Sequence, residues 1–223
     1  MLNLAKIPLK SSERESLTPL ICVGGPCACN PEPITDFVDI VFLGDGEEST
    51  NEVIDLLKYA KENNLTKHEF LLKAKDIRGV YVPSFYEDSY NDDGTLKELK
   101  PLFGAPEKVK KAVVSDMNSV YYPKEFVVPY INIVHDRAVE EIFRGCIRGC
   151  RFCQAGFIYR PIREKSVETI NKQSKALIDS TGYDELSLCS LSTSDHSHVN
   201  EMLTTLIDWT VKDNINLSLP SLR

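Results

Sequence analysis

The 223-residue sequence lacks the features that define several large classes of protein. Its longest apolar stretches, such as 126–134, are short and interrupted, and none approaches the roughly 20 apolar residues that a membrane helix needs. The N-terminus has no apolar signal-peptide core. Positive charge is not in excess, because 26 Lys and Arg stand against 33 Asp and Glu, so the composition carries no general nucleic-acid signature. We therefore expect a cytoplasmic protein without a membrane partner.

The residues that are present follow a pattern typical of a globular α/β protein. Hydrophobic residues make up 42% of the chain and charged residues 26%, values that argue against disorder. The apolar runs 17–23 and 37–43 each end at glycines, and apolar side chains then recur with helical spacing over 47–63. Strand, glycine loop, strand, glycine loop and helix is the order of elements in an open α/β sheet.

The rest of the chain predicts a hairpin, a connecting segment and a second α/β part. An Asp-Gly pair lies between the β-prone segments 81–90 and 95–102, which indicates a hairpin. Prolines are frequent in 101–137, so we place a connecting segment there, between domains 1–100 and 138–223. Strands joined through helices are expected to be parallel. In the second domain we predict strand 138–143, helix 166–180, strand 185–191, helix 198–211 and strand 215–219.

Cysteine is abundant and unevenly placed, at positions 22, 27, 29, 146, 150, 153 and 189. The odd count argues against a disulfide framework and toward metal ligation or chemistry. Cys146, Cys150 and Cys153 have the spacing C-x3-C-x2-C. Gly145 and Gly149 let the backbone of this loop fold around a compact object. Six basic residues and one acid lie over 144–165, a field that favours the thiolate form that binds metal.

The three clustered thiols favour an iron–sulfur cluster over zinc. Structural zinc sites usually take four ligands, often from two C-x2-C pairs. A 4Fe-4S cluster also normally takes four cysteines, so three would leave one iron with an open position at which chemistry can occur. Zinc and a metal-free redox loop are the alternatives. We expect Cys22, Cys27 and Cys29 to be buried or incidental thiols, and Cys189 to lie in the core.

The cysteine segment resembles the signature of radical S-adenosylmethionine enzymes. Both have a C-x3-C-x-aromatic-C loop directly after a strand, and Phe152 stands at the aromatic position. The resemblance implies that Cys146, Cys150 and Cys153 hold a 4Fe-4S cluster whose open iron is chelated by S-adenosylmethionine. It also implies that reductive cleavage of S-adenosylmethionine yields a 5′-deoxyadenosyl radical, and that Phe152 packs against the adenine.

The segments 24–48 and 134–166 resemble one branch of that family, in which a cobalamin (B12)-binding-type domain precedes the radical domain. The implied fold is the C-terminal part of a Rossmann-like cobalamin-binding-type domain, followed by the first half of a partial (β/α)6 radical SAM barrel. The 86 residues of 138–223 suffice for about three strands of that barrel. We therefore expect the sequence to be a fragment of a longer protein, itself nearly inactive.

The resemblance also suggests residues around the two cofactors. Ser192 and Ser194 stand where the family binds the amino group of S-adenosylmethionine. The alternative is an ordinary polar loop with a helix cap at Ser194 or Ser197.

The glycines of the first domain have a comparable assignment. In cobalamin-type domains the matching loops line the corrin or its nucleotide tail. That assignment competes with two plain tight turns, because the family's Asp-x-His-x-x-Gly motif does not occur in this sequence. The glycines in question are Gly24, Gly25, Gly44 and Gly46.

Three classes of function follow from these observations. The first is a radical S-adenosylmethionine enzyme of unknown substrate, which needs a reducing partner such as flavodoxin or ferredoxin. The second is a non-catalytic 4Fe-4S module for electron transfer or sensing, and the third is a zinc-stabilised interaction domain. The basic residues over 144–165 would contact phosphate if the substrate were RNA, or else serve the cofactor carboxylate and the anionic cluster.

Overall fold

The computed structural model describes residues 1–123, 125–131 and 133–222. The chain is mixed α/β, as predicted, and divides into two compact units, Met1–Val114 and Ser115–Arg223. The break falls inside the predicted connecting segment 101–137. Among the helices of the described ranges, none combines the length and hydropathy that crossing a bilayer demands.

The first unit is built on a three-stranded sheet of short strands. Strand β1 (Cys22–Val23) pairs in parallel with β2 (Ile40–Phe42), and β2 pairs antiparallel with β3 (Val80–Tyr81). Both parallel strands are shorter than the apolar runs that predicted them. In the first run, Pro19 has no N–H to donate to a neighbouring strand. In the second run, Phe37 still belongs to the 3-10 turn Glu32–Phe37.

Two helices complete the core of the first unit. Helix α1 (Ser49–Glu62) confirms the predicted helix, whereas α2 (Lys67–Ala74) was not predicted. Helix α2 begins at a capping box, in which the Thr66 N–H donates to the Glu69 carboxylate at 2.8 Å and the Glu69 N–H donates to Thr66 Oγ1 at 3.2 Å. The buried side chains that join the helices to the sheet include Ile40, Val53, Phe70, Leu71 and Val80.

The predicted hairpin is present at the end of the first unit. Strand β4 (Tyr86–Tyr90) pairs antiparallel with β5 (Leu96–Pro101). Gly94 adopts φ +80° in the turn, a conformation that favours glycine.

The second unit contains a parallel three-stranded sheet, in agreement with the predicted strand–helix alternation. Strand β9 (Glu185–Cys189) lies between β10 (Asn216–Ser218) and β6 (Ala138–Glu141), and both pairings are parallel. A short antiparallel pair is formed by β7 (Phe143–Arg144) and β8 (Arg163–Glu164). The elements are β6 (Ala138–Glu141), β7 (Phe143–Arg144), α3 (Ala155–Ile158), β8 (Arg163–Glu164), α4 (Val167–Thr181), β9 (Glu185–Cys189), α5 (Val199–Thr210) and β10 (Asn216–Ser218).

Helices α4 and α5 pack their apolar sides against this sheet. Helix α4 confirms the predicted helix 166–180. Ser166 caps it by accepting a hydrogen bond from the Thr169 N–H at 3.2 Å, and the helix ends at Gly182 with φ +70°. The buried core contains Ile142, Ile170, Leu186, Leu188, Met202 and Leu206. Because the three strands are parallel, the loops after β6, β9 and β10 emerge at one edge of the sheet, the usual location of ligand sites in such sheets.

Candidate functional site

The cysteine loop, residues 145–154, connects β7 to α3. It begins with Gly145 at φ +95°, where an added Cβ would lie 2.9 Å from both the Ile162 Cα and the Pro161 oxygen. Only glycine allows this close approach. Gly149 does not have a positive φ, and no atom lies within 4 Å of the position of its absent Cβ. The sequence suggests the same role for both glycines, but the backbone conformation and packing require glycine only at position 145.

The three thiols of the loop differ in exposure. Cys146 is buried, with 7% of its surface exposed, whereas Cys150 and Cys153 are half-buried. The Arg148 N–H donates to Cys146 Sγ at 3.4 Å, the type of contact that accompanies cluster thiolates. Three thiols on one loop are a donor set that fits an iron–sulfur cluster. Across residues 1–123, 125–131 and 133–222, no group of three or more His, Cys, Asp or Glu is placed to hold a metal ion. The ligand roles therefore stay a prediction.

The basic residues around the loop are paired with acids that lie elsewhere in the sequence. Arg144 donates to both oxygens of Glu141, at 2.9 and 3.0 Å. Arg148 donates to both oxygens of Asp195. Because these acids lie outside 144–165, the sequence count of six basic residues against one acid overstates the net positive charge near the loop.

Glu140 and Lys165 form a second ion pair, buried in the second unit. Lys165 Nζ donates to Glu140 Oε1 at 2.8 Å and to Gln173 Oε1 at 2.7 Å, and it lies 4.9 Å from the centre of the Tyr122 ring. Burial raises the pKa of Glu140 above its ordinary value, and Lys165 opposes the rise. Glu141 lies on the opposite face of β6, half-buried and paired with Arg144, as the alternation of strand residues predicts.

The turn after β9 carries the residues expected to meet the amino group of S-adenosylmethionine. Ser192 is fully buried and donates to Asp195 Oδ2 at 2.7 Å, while Ser194 is half-buried. Thr193 ties this turn to the segment after β10, since its hydroxyl donates to the Pro220 oxygen at 2.6 Å. The cofactor role of Ser192 and Ser194 stays a prediction. The alternative of Ser194 or Ser197 as the N-cap residue is wrong, because His198 is the residue that precedes α5, and its side chain makes no capping hydrogen bond.

Phe152 lies on the outside of the cysteine loop, with 89% of its surface exposed. Its ring is therefore available to a ligand, and the predicted contact with adenine is untested.

The glycine loops of the first unit lie at the carboxyl edge of β1 and β2. Gly44 adopts φ +97°, and an added Cβ would lie 2.1 Å from the Ala112 oxygen, so close packing demands glycine there. This finding supports a tight turn at that position. Gly25 also has a positive φ, +95°, but no atom lies within 4 Å of its absent Cβ. The assignment of Gly24, Gly25, Gly44 and Gly46 to cobalamin stays a prediction.

None of the seven cysteines forms a disulfide, and the four outside the cysteine loop are exposed. The expectation that Cys189 lies in the core is wrong. Its neighbour Leu188 faces the helices, and side chains alternate along a strand, so Cys189 faces away from them. Cys27 and Cys29 lie in an exposed 3-10 turn. Cys22 is exposed, yet its thiol is largely removed from water. This desolvation, together with the Asp39 carboxylate, raises the pKa of the thiol to about 11.

The first unit also has a cleft of about 1020 Å³ that sequence reasoning missed. It lies near the start of β2, at the edge opposite the glycine loops. The Tyr81 hydroxyl donates to Glu32 at 2.8 Å, and its ring centre lies 4.8 Å from that of Tyr86. No local signal could have found this cleft, because its lining comes from five separate segments between residues 10 and 99.

Two comparisons relate the chain to radical SAM proteins, one by sequence over its first part and one by fold. Residues 1–83 match the family of radical SAM proteins, N-terminal. Among solved structures, the chain is similar to the cobalamin-dependent S-adenosylmethionine radical enzyme OxsB, determined with aqua-cobalamin and S-adenosylmethionine bound. The TM-score is 0.54 at 16% identity, over 90% of this chain and 25% of that chain. This likeness shows the fold, and the predicted resemblance to radical SAM proteins with a B12-binding-type domain is confirmed.

A relative in the methanogen Methanocaldococcus jannaschii is an uncharacterized protein. It is 26% identical over 222 residues, which cover 99% of this chain and 41% of the relative. The chain thus spans about two fifths of that protein and a quarter of OxsB.

Proposed function

We propose that this chain is the part of a radical S-adenosylmethionine enzyme that holds the 4Fe-4S cluster, with Cys146, Cys150 and Cys153 as ligands. The observation that carries the proposal is the C-x3-C-x2-C loop at the carboxyl edge of the parallel sheet. When bound, the cluster would supply the electron that cleaves S-adenosylmethionine to a 5′-deoxyadenosyl radical.

The chain's own residues would bind and orient the cofactor. Phe152, with its exposed ring, would pack against the adenine. Ser194 and the buried Ser192 would accept hydrogen bonds from the amino group, Ser192 while its own hydroxyl donates to Asp195. Side chains on neighbouring strands would cover the bound cofactor and exclude water.

Cobalamin is a further candidate cofactor, because OxsB carries it and its structure is similar to this chain. Gly24, Gly25, Gly44 and Gly46 lie together at the carboxyl edge of β1 and β2, where they would form part of a pocket. We infer a cytoplasmic protein, since seven unpaired thiols suit a reducing compartment. Such an enzyme needs a reductant, flavodoxin or ferredoxin. An RNA substrate is a weaker hypothesis, because three of the basic residues are already paired with acids.

S-adenosylmethionine cleavage tests the proposal. Reconstituted and reduced under anaerobic conditions, the M. jannaschii relative should convert S-adenosylmethionine to 5′-deoxyadenosine. The 223-residue chain should bind iron but produce little 5′-deoxyadenosine, because it spans 41% of that relative and cleavage needs a site closed to water. A relative that binds the cluster without any cleavage would instead favour the non-catalytic electron-transfer or sensing module. Zinc in place of iron would favour the interaction domain.

A further inference from the structure

Arg148 links the cysteine loop to the turn after β9. Its Nε donates to Asp195 Oδ2 at 2.8 Å, and its second terminal nitrogen donates to Asp195 Oδ1, so both oxygens of the carboxylate are engaged. The two residues are 47 positions apart in the chain. A two-point contact between guanidinium and carboxylate fixes orientation as well as distance.

The carboxylate side of this pair is firmly held. The Asp195 side chain is only 8% exposed, and it accepts a further hydrogen bond from buried Ser192 at 2.7 Å. The Asp195 N–H donates to the Ser192 oxygen at 2.9 Å, and the neighbouring Thr193 N–H donates to the Ser221 oxygen at 3.1 Å. Asp195 is therefore part of a packed turn that can serve as an anchor for the loop.

The loop side is much more open. Arg148 has 48% of its side chain exposed, and the loop residues Ile147, Arg151 and Phe152 are also exposed. Yet the loop carries Cys146, which is buried. A loop with so few packed side chains needs a specific contact to keep its thiols in one arrangement.

Arg148 also contacts the loop sulfurs directly. Its backbone N–H donates to Cys146 Sγ at 3.4 Å, and the residue lies midway between Cys146 and Cys150 in the chain. The residue that is paired with Asp195 therefore also touches one of the three thiols.

We propose that Arg148 and Asp195 are positioning residues that latch the cysteine loop onto the turn after β9 and keep a cation beside Cys146 and Cys150. The latch exists in the metal-free chain. Its second effect, stabilisation of the reduced and more negative cluster, rests on the proposed function.

Alkylation of the metal-free 223-residue chain tests the latch. Arg148→Gln and Asp195→Asn should each raise the iodoacetamide alkylation rate of buried Cys146 by roughly three- to tenfold, because each frees the loop to open. The double variant should be no faster than either single variant, since both remove one contact. The matched control is Arg151→Gln, which replaces an exposed arginine on the same loop. In this variant, Cys146 should be alkylated at the wild-type rate. The latch would be overturned if Cys146 in Arg148→Gln were alkylated at the wild-type rate, or if the rate increases of the two single variants added up in the double variant.

The reduction potential of the reconstituted chain separates the latch from the cluster assignment. Arg148→Gln should shift the potential to a more negative value, because the reduced cluster loses a neighbouring cation. Arg148→Lys retains the cation without the two-point contact, so its potential should stay near the wild-type value while its alkylation rate rises. If the wild-type chain takes up no iron but the alkylation pattern holds, the proposed function fails and the latch stands. If iron is bound and the Arg148→Gln potential equals the wild-type one, the charge effect is wrong.

Discussion

Glu140 and Lys165 form an ion pair of 2.8 Å in which both side chains are removed from solvent, at 0% and 4% exposure. The pair joins β6, which leads into the cysteine loop, to the segment that begins α4.

Removal of the lysine should therefore be costly. Lys165→Met leaves the Glu140 carboxylate buried without its cation, and we expect a loss of about 3–5 kcal/mol in the free energy of unfolding. Urea denaturation measures this loss. Lys172→Met, an exposed position on α4, is the control and should change the free energy by less than about 0.5 kcal/mol. Equal effects of the two variants would contradict a structural role for the pair.

The same carboxylate should make stability depend on pH. Burial raises the native pKa of Glu140 above 4.5, its ordinary value. The native state then binds a proton more tightly than the unfolded state does. The stabilising contribution of this group is complete below the ordinary pKa and is lost as pH rises through the native pKa. Urea titrations from pH 4 upward should show this decline in the wild type and a flatter profile in Glu140→Gln. An unchanged profile in the variant would assign the pH dependence to other groups.

The two glycines of the cysteine loop should respond differently to alanine. Gly145→Ala forces a Cβ to within 2.9 Å of the backbone of residues 161–162 at φ +95°, and should cost about 1–3 kcal/mol. Gly149→Ala meets open space and should cost less than about 0.5 kcal/mol. Thermal unfolding of both variants measures the difference. A Gly149→Ala loss as large as that of Gly145→Ala would mean that the loop has another conformation.

Cobalamin binding by the 223-residue chain should be weak or absent. The glycine loops supply only part of a pocket. The close contact with Ala112 already explains why residue 44 is glycine. The sequence also has no Asp-x-His-x-x-Gly motif that would provide an axial histidine. Incubation with aquacobalamin, followed by gel filtration and an absorbance spectrum, measures retention. Stoichiometric retention by the chain would refute this prediction.

Elements with local signals were predictable from the sequence. Helix α4 has its capping hydroxyl at Ser166 and its terminating glycine at Gly182, so both ends are encoded within the helix itself. The hairpin has its turn in Asp-Gly. Helix α2 escaped prediction because it is only 8 residues long, although Thr66 and Glu69 form a capping box that signals its start.

Features that depend on distant residues were not predictable. The Arg148–Asp195 pair joins segments 47 residues apart, so no window of sequence contains it. His196 is buried and lies within hydrogen-bonding distance of the Lys165 oxygen, at 3.1 Å, a contact between segments 31 residues apart. Cys189 was assigned to the core because its neighbours are apolar, but the direction of each strand residue is set by the register of the sheet.

Iron and sulfide content after anaerobic reconstitution tests the central claim most directly. The wild-type chain should bind about four irons with matching sulfide, and alanine at Cys146, Cys150 or Cys153 should abolish the cluster absorption. The matched controls are alanine substitutions of the four cysteines outside the cysteine loop, which should leave the iron content unchanged: Cys22, Cys27, Cys29 and Cys189. A requirement for Cys27 and Cys29 equal to that for Cys150, or iron uptake that survives loss of the loop cysteines, would contradict the account.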